Sequence, residues 1–145
     1  MLRLSRAVVT LVGWEAAAAD LMQVRRRVFI EEQGIPESLE WDQWDAPSLH
    51  ALARHGEAPV ATGRLLPEGR IGRMAVLAPW RGRGVGRAVL DHLVAEARAR
   101  GLPEVVLSAQ RRAMPFYAAA GFLAEGPEYD DAGIPHRTMR LRLAP

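Results

Sequence analysis

Apolar residues recur at two spacings along this chain, and the switches between them mark out its elements. "RAVVTLV" at Arg6 to Val12 is a short β-branched run and reads as a first strand. From Trp14 to about Ile30, Leu21, Val24 and Val28 recur at intervals of three and four behind a run of alanines, the signature of a helix. Gly34 and Pro36 stop it, and the acidic stretch beyond them is expected to be loop or short helix. "LHALARH" (49–55), "PVATGRLL" (59–66) and "RIGRMAVL" (70–77) are three short strands parted by "GEA" and "PEG" turns, which predicts an antiparallel meander. Val85, Val89, Leu93 and Ala97 stand at fourfold spacing, so a long helix should begin near Gly84 and stop at Gly101. "VVLSA" at Val105 to Ala109 is an apolar strand. Strand, long helix and strand make a crossover, so "RMAVL" and "VVLSA" should run parallel in one sheet. A second helix over about Arg112 to Ala120 ends at Gly121, and "HRTMRLRL" (136–143) supplies a last strand. The expected fold class is α/β in the sense of an α+β mixed sheet: an antiparallel meander joined to a parallel strand-helix-strand crossover, in a single domain over residues 1–145.

Composition narrows the chemistry. A chain of 145 residues with 49% hydrophobic and 25% charged residues can bury one core and is ordinary globular protein, not a disordered tail. It has no run of eighteen apolar residues and no signal-peptide order at its start, so no membrane partner is expected and a cytoplasmic location is the default. The absence of cysteine excludes disulfides, thiolate metal ligands and a cysteine nucleophile, and no metal is expected. All 19 basic residues are arginine, which removes lysine Schiff-base chemistry and a Walker-type phosphate lysine. Net charge is only +2 but unevenly placed: Glu31 to Ala53 holds six carboxylates and no arginine, whereas arginine dominates from Arg64 to Arg100. A nucleic-acid binder needs a broader basic excess, so no nucleic-acid partner is expected. Two ligands of opposite charge fit better.

The most informative stretch is "RMAVLAPWRGRGVGRAVL", where a strand hands over to a helix through three glycines and three arginines. Such a turn exposes unpaired backbone amides with the positive end of the helix dipole behind them, and so suits an anion. A P-loop would need Gly-Lys-Ser/Thr, but Gly86 is followed by Arg87 and Ala88. A dinucleotide fingerprint starting at Gly82 would need glycine where Arg87 stands. What fits is R-x-x-G-x-G, with Arg81, Gly84 and Gly86, after "MAVLAPW". This resembles the acetyl-CoA motif of the GNAT N-acetyltransferase superfamily. The resemblance continues in "AQRRAMPFYAAAGF", upstream in "VRRRVFIEEQGIP" and downstream in "GIPHRTM", so it covers nearly the whole chain and is similar to the YjcF-like branch.

The resemblance implies an acyl-CoA-dependent N-acetyltransferase with acetyl-CoA as cosubstrate and a small-molecule or peptide amine as acceptor; a homodimer is compatible with it. It implies that the backbone of Met74, Ala75 and Val76 pairs with the pantetheine amides. The amides from Gly82 through Arg87, thus Gly82, Arg83, Gly84, Val85, Gly86 and Arg87, hold the pyrophosphate, with Arg81, Arg83 and Arg87 adding charge. Gln110 stands where the family often has asparagine, and is expected as a cofactor-side residue that orients cofactor or substrate through its amide. Tyr117 in "PFYAAAGF" becomes the acid that protonates departing coenzyme A. An amine of pKa about 10.4 is neutral in only about one molecule in 2,500 at pH 7, so a base or a water relay is expected. Glu31, Glu40, Asp45, His50 and His136 are the candidates, and the residues alone do not choose among them. Glu31, Asp45 and His50 are also candidate acceptor contacts, since six carboxylates without arginine favour a cationic acceptor. Trp41 and Trp44 could wall that pocket. The alternative is a non-catalytic acyl-CoA-binding regulatory domain, against which the Tyr117 hydroxyl weighs.

Overall fold

A computed structural model describes residues 6–143. Its centre is a seven-stranded sheet in the order β1-β2-β3-β4-β5-β7-β6. The strands are β1 Val8–Gly13, β2 Leu49–His55, β3 Ala58–Leu65, β4 Arg70–Val76, β5 Glu104–Gln110, β6 Leu123–Asp131 and β7 Ile134–Arg142. β1 to β4 form the antiparallel meander, and β4 pairs with β5 in parallel. Period-two alternation sends Ala51 and Ala53 to one side of β2 and Leu52 to the other, which commits both faces of the sheet to cores.

Helix α3 (Val85–Ala99) crosses between β4 and β5 and buries Val85, Val89, Leu90, Leu93 and Ala97, the stripe its spacing predicts. It shares that face with α4 (Met114–Ala119), whose Tyr117 packs edge-on against Phe116 and Phe122. The other face is covered by α1 (Trp14–Arg25), through Ala17 and Leu21 against Leu52 and Val24 against Ala75. Two elements differ from expectation. The first helix does not stay α-helical to Ile30: from Arg26 to Glu32 it widens into a π-helix, with Gln33 N donating to Val28 O at 3.1 Å. The wider turn seats Val28 and Phe29 against Ala75 and is followed by a short α2 (Glu37–Glu40). β6 was not expected as a strand. It pairs with β7 as an edge strand, and its residues are almost all exposed.

Candidate active site

β4 and β5 hold together only at one end. Their parallel register covers Arg70↔Val106 and Ile71↔Leu107, and beyond it the strands part, leaving Gly72 to Val76 without a partner on the β5 side. The opening is a cleft of about 860 Å³. Met74, Ala75 and Val76 form one wall, Ser108, Gln110 and His136 the other, and Tyr117, Phe116 and Gly86 line it on the α3/α4 side of the sheet. A parted parallel pair leaves strand-edge donors and acceptors without a neighbouring strand, beside a helix start whose backbone amides suit an anion.

The helix start is held open by backbone geometry. Gly84 caps α3 at φ 83, a left-handed conformation open to glycine at little cost. The first backbone bond of the helix runs from Ala88 N to Gly84 O at 3.1 Å, so the amides of Val85, Gly86 and Arg87 have no partner within the helix. The arginines nearby are committed elsewhere. Arg81 donates both terminal nitrogens to Glu32 at 2.7 and 2.8 Å and its Nε to Val76 O. Arg87 bonds Asp91, and Arg83 lies 4.9 Å over the Trp80 ring. Gly82, at φ 76, shapes the turn, and of the expected loop residues Gly82, Arg83, Gly84, Val85, Gly86 and Arg87 only Gly86 lines the cleft itself.

Tyr117 is buried, and burial pushes its hydroxyl well above the usual phenol range. Gln110 donates to Gln33 Oε1 at 2.9 Å across the cleft. His136 faces Gln110 across the β5/β7 register, donates Nδ1–H to Ile134 O at 2.7 Å and stacks on Tyr129. That bond leaves Nε2 as the accepting nitrogen of the neutral ring. Tyr129 in turn hydrogen-bonds the Ser108 hydroxyl. Gln33, Ser108, Tyr129 and Asp131 are surroundings that the motifs did not single out.

Three expected acceptor contacts lie elsewhere. Asp45 is buried and accepts from Arg25 Nη1 at 2.7 Å, Arg64 Nη1 at 2.9 Å and the Asp42 amide at 3.2 Å. Burial works to raise its pKa, but the Arg25 and Arg64 bonds outweigh that and hold the carboxyl below its usual range. His50 is fully buried beside Trp14, donates Nε2–H to Asp45 O at 2.9 Å, and has its pKa lowered, chiefly by burial. Glu31 is exposed and does not line the cleft. Nor is the acidic segment uncompensated, as its sequence suggested. Glu32 pairs with Arg81, Glu37 with Arg26, Glu40 with Arg25 and Arg73, Asp42 with Arg64 and Arg73, and Asp45 with Arg25 and Arg64. Glu40 borders the cleft, but its carboxylate is spent inside this cluster, with its pKa raised by burial. Trp41 lies 5.2 Å from the Arg25 guanidinium and walls the cluster, not the cleft.

Comparison with known proteins agrees with this geometry. Residues 17–143 match the family model of the acetyltransferase (GNAT) domain. The uncharacterized N-acetyltransferase YjcF of Bacillus subtilis (strain 168) is 36% identical over 129 residues, 86% of this chain and 92% of that protein. ElaA of Escherichia coli (strain K12) is 30% identical over 128 residues, 82% of this chain and 83% of its own length. The crystal structure of an acyl-CoA N-acyltransferase from Pseudomonas aeruginosa superposes with a TM-score of 0.83 at 30% identity, across 93% of this chain and 99% of that one.

Proposed function

Because this chain belongs to the GNAT acetyltransferase family, we propose that it transfers the acetyl group of acetyl-CoA to the nitrogen of a primary amine. The observation that carries this reading is the parting of β4 from β5 beside the free amides of α3. The edge from Gly72 to Val76 has no strand partner on the β5 side and, apart from Val76 O, which Arg81 Nε occupies, offers donors and acceptors to the two amides of pantetheine, while the α3 amides offer donors to the diphosphate. No helix among the described residues is long and apolar enough to cross a membrane. A cytoplasmic location rests on the donor, a soluble metabolite of that compartment.

The thioester supplies an activated acyl carbon; the chain's task is to orient, polarise and move protons. A β4 amide between Met74 and Val76 polarises the thioester carbonyl. As the amine nitrogen bonds to the carbonyl carbon and the carbon–sulfur bond breaks, the nitrogen must lose a proton and the sulfur must gain one. His136 is the preferred base, because its Nδ1–H is tied to Ile134 O and its Nε2 is left to accept, directly or through water. Tyr117 is the donor on the sulfur side, and it is supported by its place in the cleft wall with no hydrogen bond to its hydroxyl among the described residues. Gln110, fixed by Gln33, orients substrate through its amide.

The acceptor is a primary amine, and a cationic one has less support than the sequence gave reason to expect. Five of the six acids from Glu31 to Asp45 are paired with arginines of this chain. Asp131, which lines the cleft and has no arginine partner among the described residues, is the better anchor for an ammonium group. Incubation with acetyl-CoA and a panel of primary amines, following free thiol, tests the proposal. Amine-dependent thiol release is expected; tight acetyl-CoA binding with no response to any amine would favour a non-catalytic acyl-CoA-binding domain.

A further inference from the structure

Strand β4 carries a residue in a backbone conformation that its side chain does not favour. Arg73 lies at φ 51, one of two non-glycine residues of the described chain with positive φ. Its neighbours explain how the strand accommodates it. Thr62 pairs with Ala75 and Arg64 with Gly72, so Arg73 and Met74 together stand opposite Gly63 alone. This is a β-bulge. It resets the alternation: Ile71, Met74 and Val76 pack with the α3 core, while Ala75 packs against Val24, Val28 and Phe29 on the opposite face. The site is built to receive it, since a Cβ at Gly63 would come within 2.6 Å of Met74 Sδ.

The arginine is gripped at its far end. Its Nη2 donates to Leu39 O at 3.3 Å, Glu40 O at 3.1 Å and Asp42 Oδ2 at 3.1 Å, and its Nε donates to Glu40 O at 3.2 Å and stands 3.1 Å from Glu40 Oε2. The receiving groups are themselves tied together, because Arg25 bonds Glu40 at 2.8 Å and Asp45 at 2.7 Å, and Arg64 bridges Asp42 and Asp45. A planar guanidinium locked on several acceptors can hold a left-handed backbone that alanine would leave.

We propose that Arg73, gripped by Glu40 and Asp42, is a positioning residue that fixes the β4 bulge and thereby aims the Met74–Val76 backbone at the thioester carbonyl. The inference rests on the acyl-transfer reading of the cleft and adds to it a role for the buried acidic cluster. The conformation, not the charge, is the working part, so glycine should replace arginine better than lysine does.

Arg73→Ala, Arg73→Gly and Arg73→Lys are compared for kcat, KM and calorimetric acetyl-CoA affinity, with thermal melting to establish folding. The backbone ¹³C shifts of residues 73 and 74 report φ independently of turnover. Arg73→Ala should lower kcat at least about tenfold while acetyl-CoA affinity changes less than about threefold. Arg73→Gly should recover most of that loss and keep left-handed shifts, whereas Arg73→Lys should stay low. Glycine no better than alanine, or alanine with undiminished kcat, overturns the proposal. Should Arg73→Ala fail to fold, Asp42→Asn carries the test, with the same expected fall in kcat and the same change in shifts. If the wild-type protein transfers no acetyl group, the functional reading fails by itself; the shifts still decide the clamp, which is refuted if residue 73 stays left-handed in Arg73→Ala or Asp42→Asn.

Discussion

The Tyr117 hydroxyl sits among Phe116 and Phe122 with its pKa raised by burial, which changes what it can do for a leaving thiolate. An ordinary tyrosine at about 10 already lies above a thiol at about 8.5, so full proton transfer costs about 2 kcal/mol, and burial widens that gap. In the proposed transfer the hydroxyl would therefore act as a hydrogen-bond donor to developing negative charge on sulfur, and a bond of that kind contributes about 1.5–3 kcal/mol. Tyr117→Phe should lower kcat by about ten- to a hundredfold and leave acetyl-CoA affinity within a few fold, because the ring remains. Steady-state kinetics paired with a binding titration reads both; an unchanged kcat would leave Tyr117 a packing residue. His50 shows burial acting on stability instead. Its folded pKa is lowered below its unfolded value, so between the two the unfolded chain binds a proton that the folded one does not. Stability should fall as pH drops below about 6.5, by at most about 1.4 kcal/mol per pH unit from this group. Urea unfolding of the wild type and His50→Gln at stepped pH isolates it: the difference between the two should change across that window, and a constant difference would contradict the assignment.

Among the elements, α3 and its leading turn were legible, because both depend on neighbours in sequence: an apolar residue every fourth position and a glycine where the cap turns left-handed. β6 was not. "LAEGPEYDD" has no apolar alternation, and its strand character comes wholly from pairing with β7 through Leu123↔Arg140 and Tyr129↔His136. The π-helix was hidden for a related reason: Arg26 to Glu32 carries ordinary helix-forming residues, and the widening is visible only in its bonds and its packing on Ala75. The turn into α3 supports a direct test. Valine at position 84 would meet no protein atom within 4 Å of its Cβ but would strain φ 83 by about 1–2 kcal/mol, and so shift the cap that presents the free amides. Gly84→Val should weaken acetyl-CoA binding by about tenfold or more in calorimetry while thermal melting shows a folded protein. Unchanged affinity in the folded variant would remove this turn from the phosphate site.

Across the whole molecule, the distribution of charge shows what linear order conceals. Glu31 to Ala53 contains no arginine, yet Arg25, Arg64 and Arg73 reach its acids from α1, β3 and β4 and turn an apparent acidic face into a nearly neutral buried cluster. Such pairing is set by topology and has no local signature. The same topology explains why one wall of the cleft lies on a contiguous motif and the other does not. Met74, Ala75, Val76, Arg81 and Gly86 come from one strand-turn-helix motif, whereas Gln33, Gln110, Asp131 and His136 come from four separate segments. The claim that unites these features is that an acetyl group passes from thioester sulfur to amine nitrogen in this cleft. Acetyl-CoA labelled with ¹³C in the acetyl group, incubated with the protein and a primary amine, tests it most directly by mass spectrometry and NMR of the products. The label should appear as an N-acetyl amide in equal amount to the free coenzyme A formed, and formation should depend on the folded protein. Label found only as acetate or unreacted thioester, in the presence of every amine tried, would contradict the account.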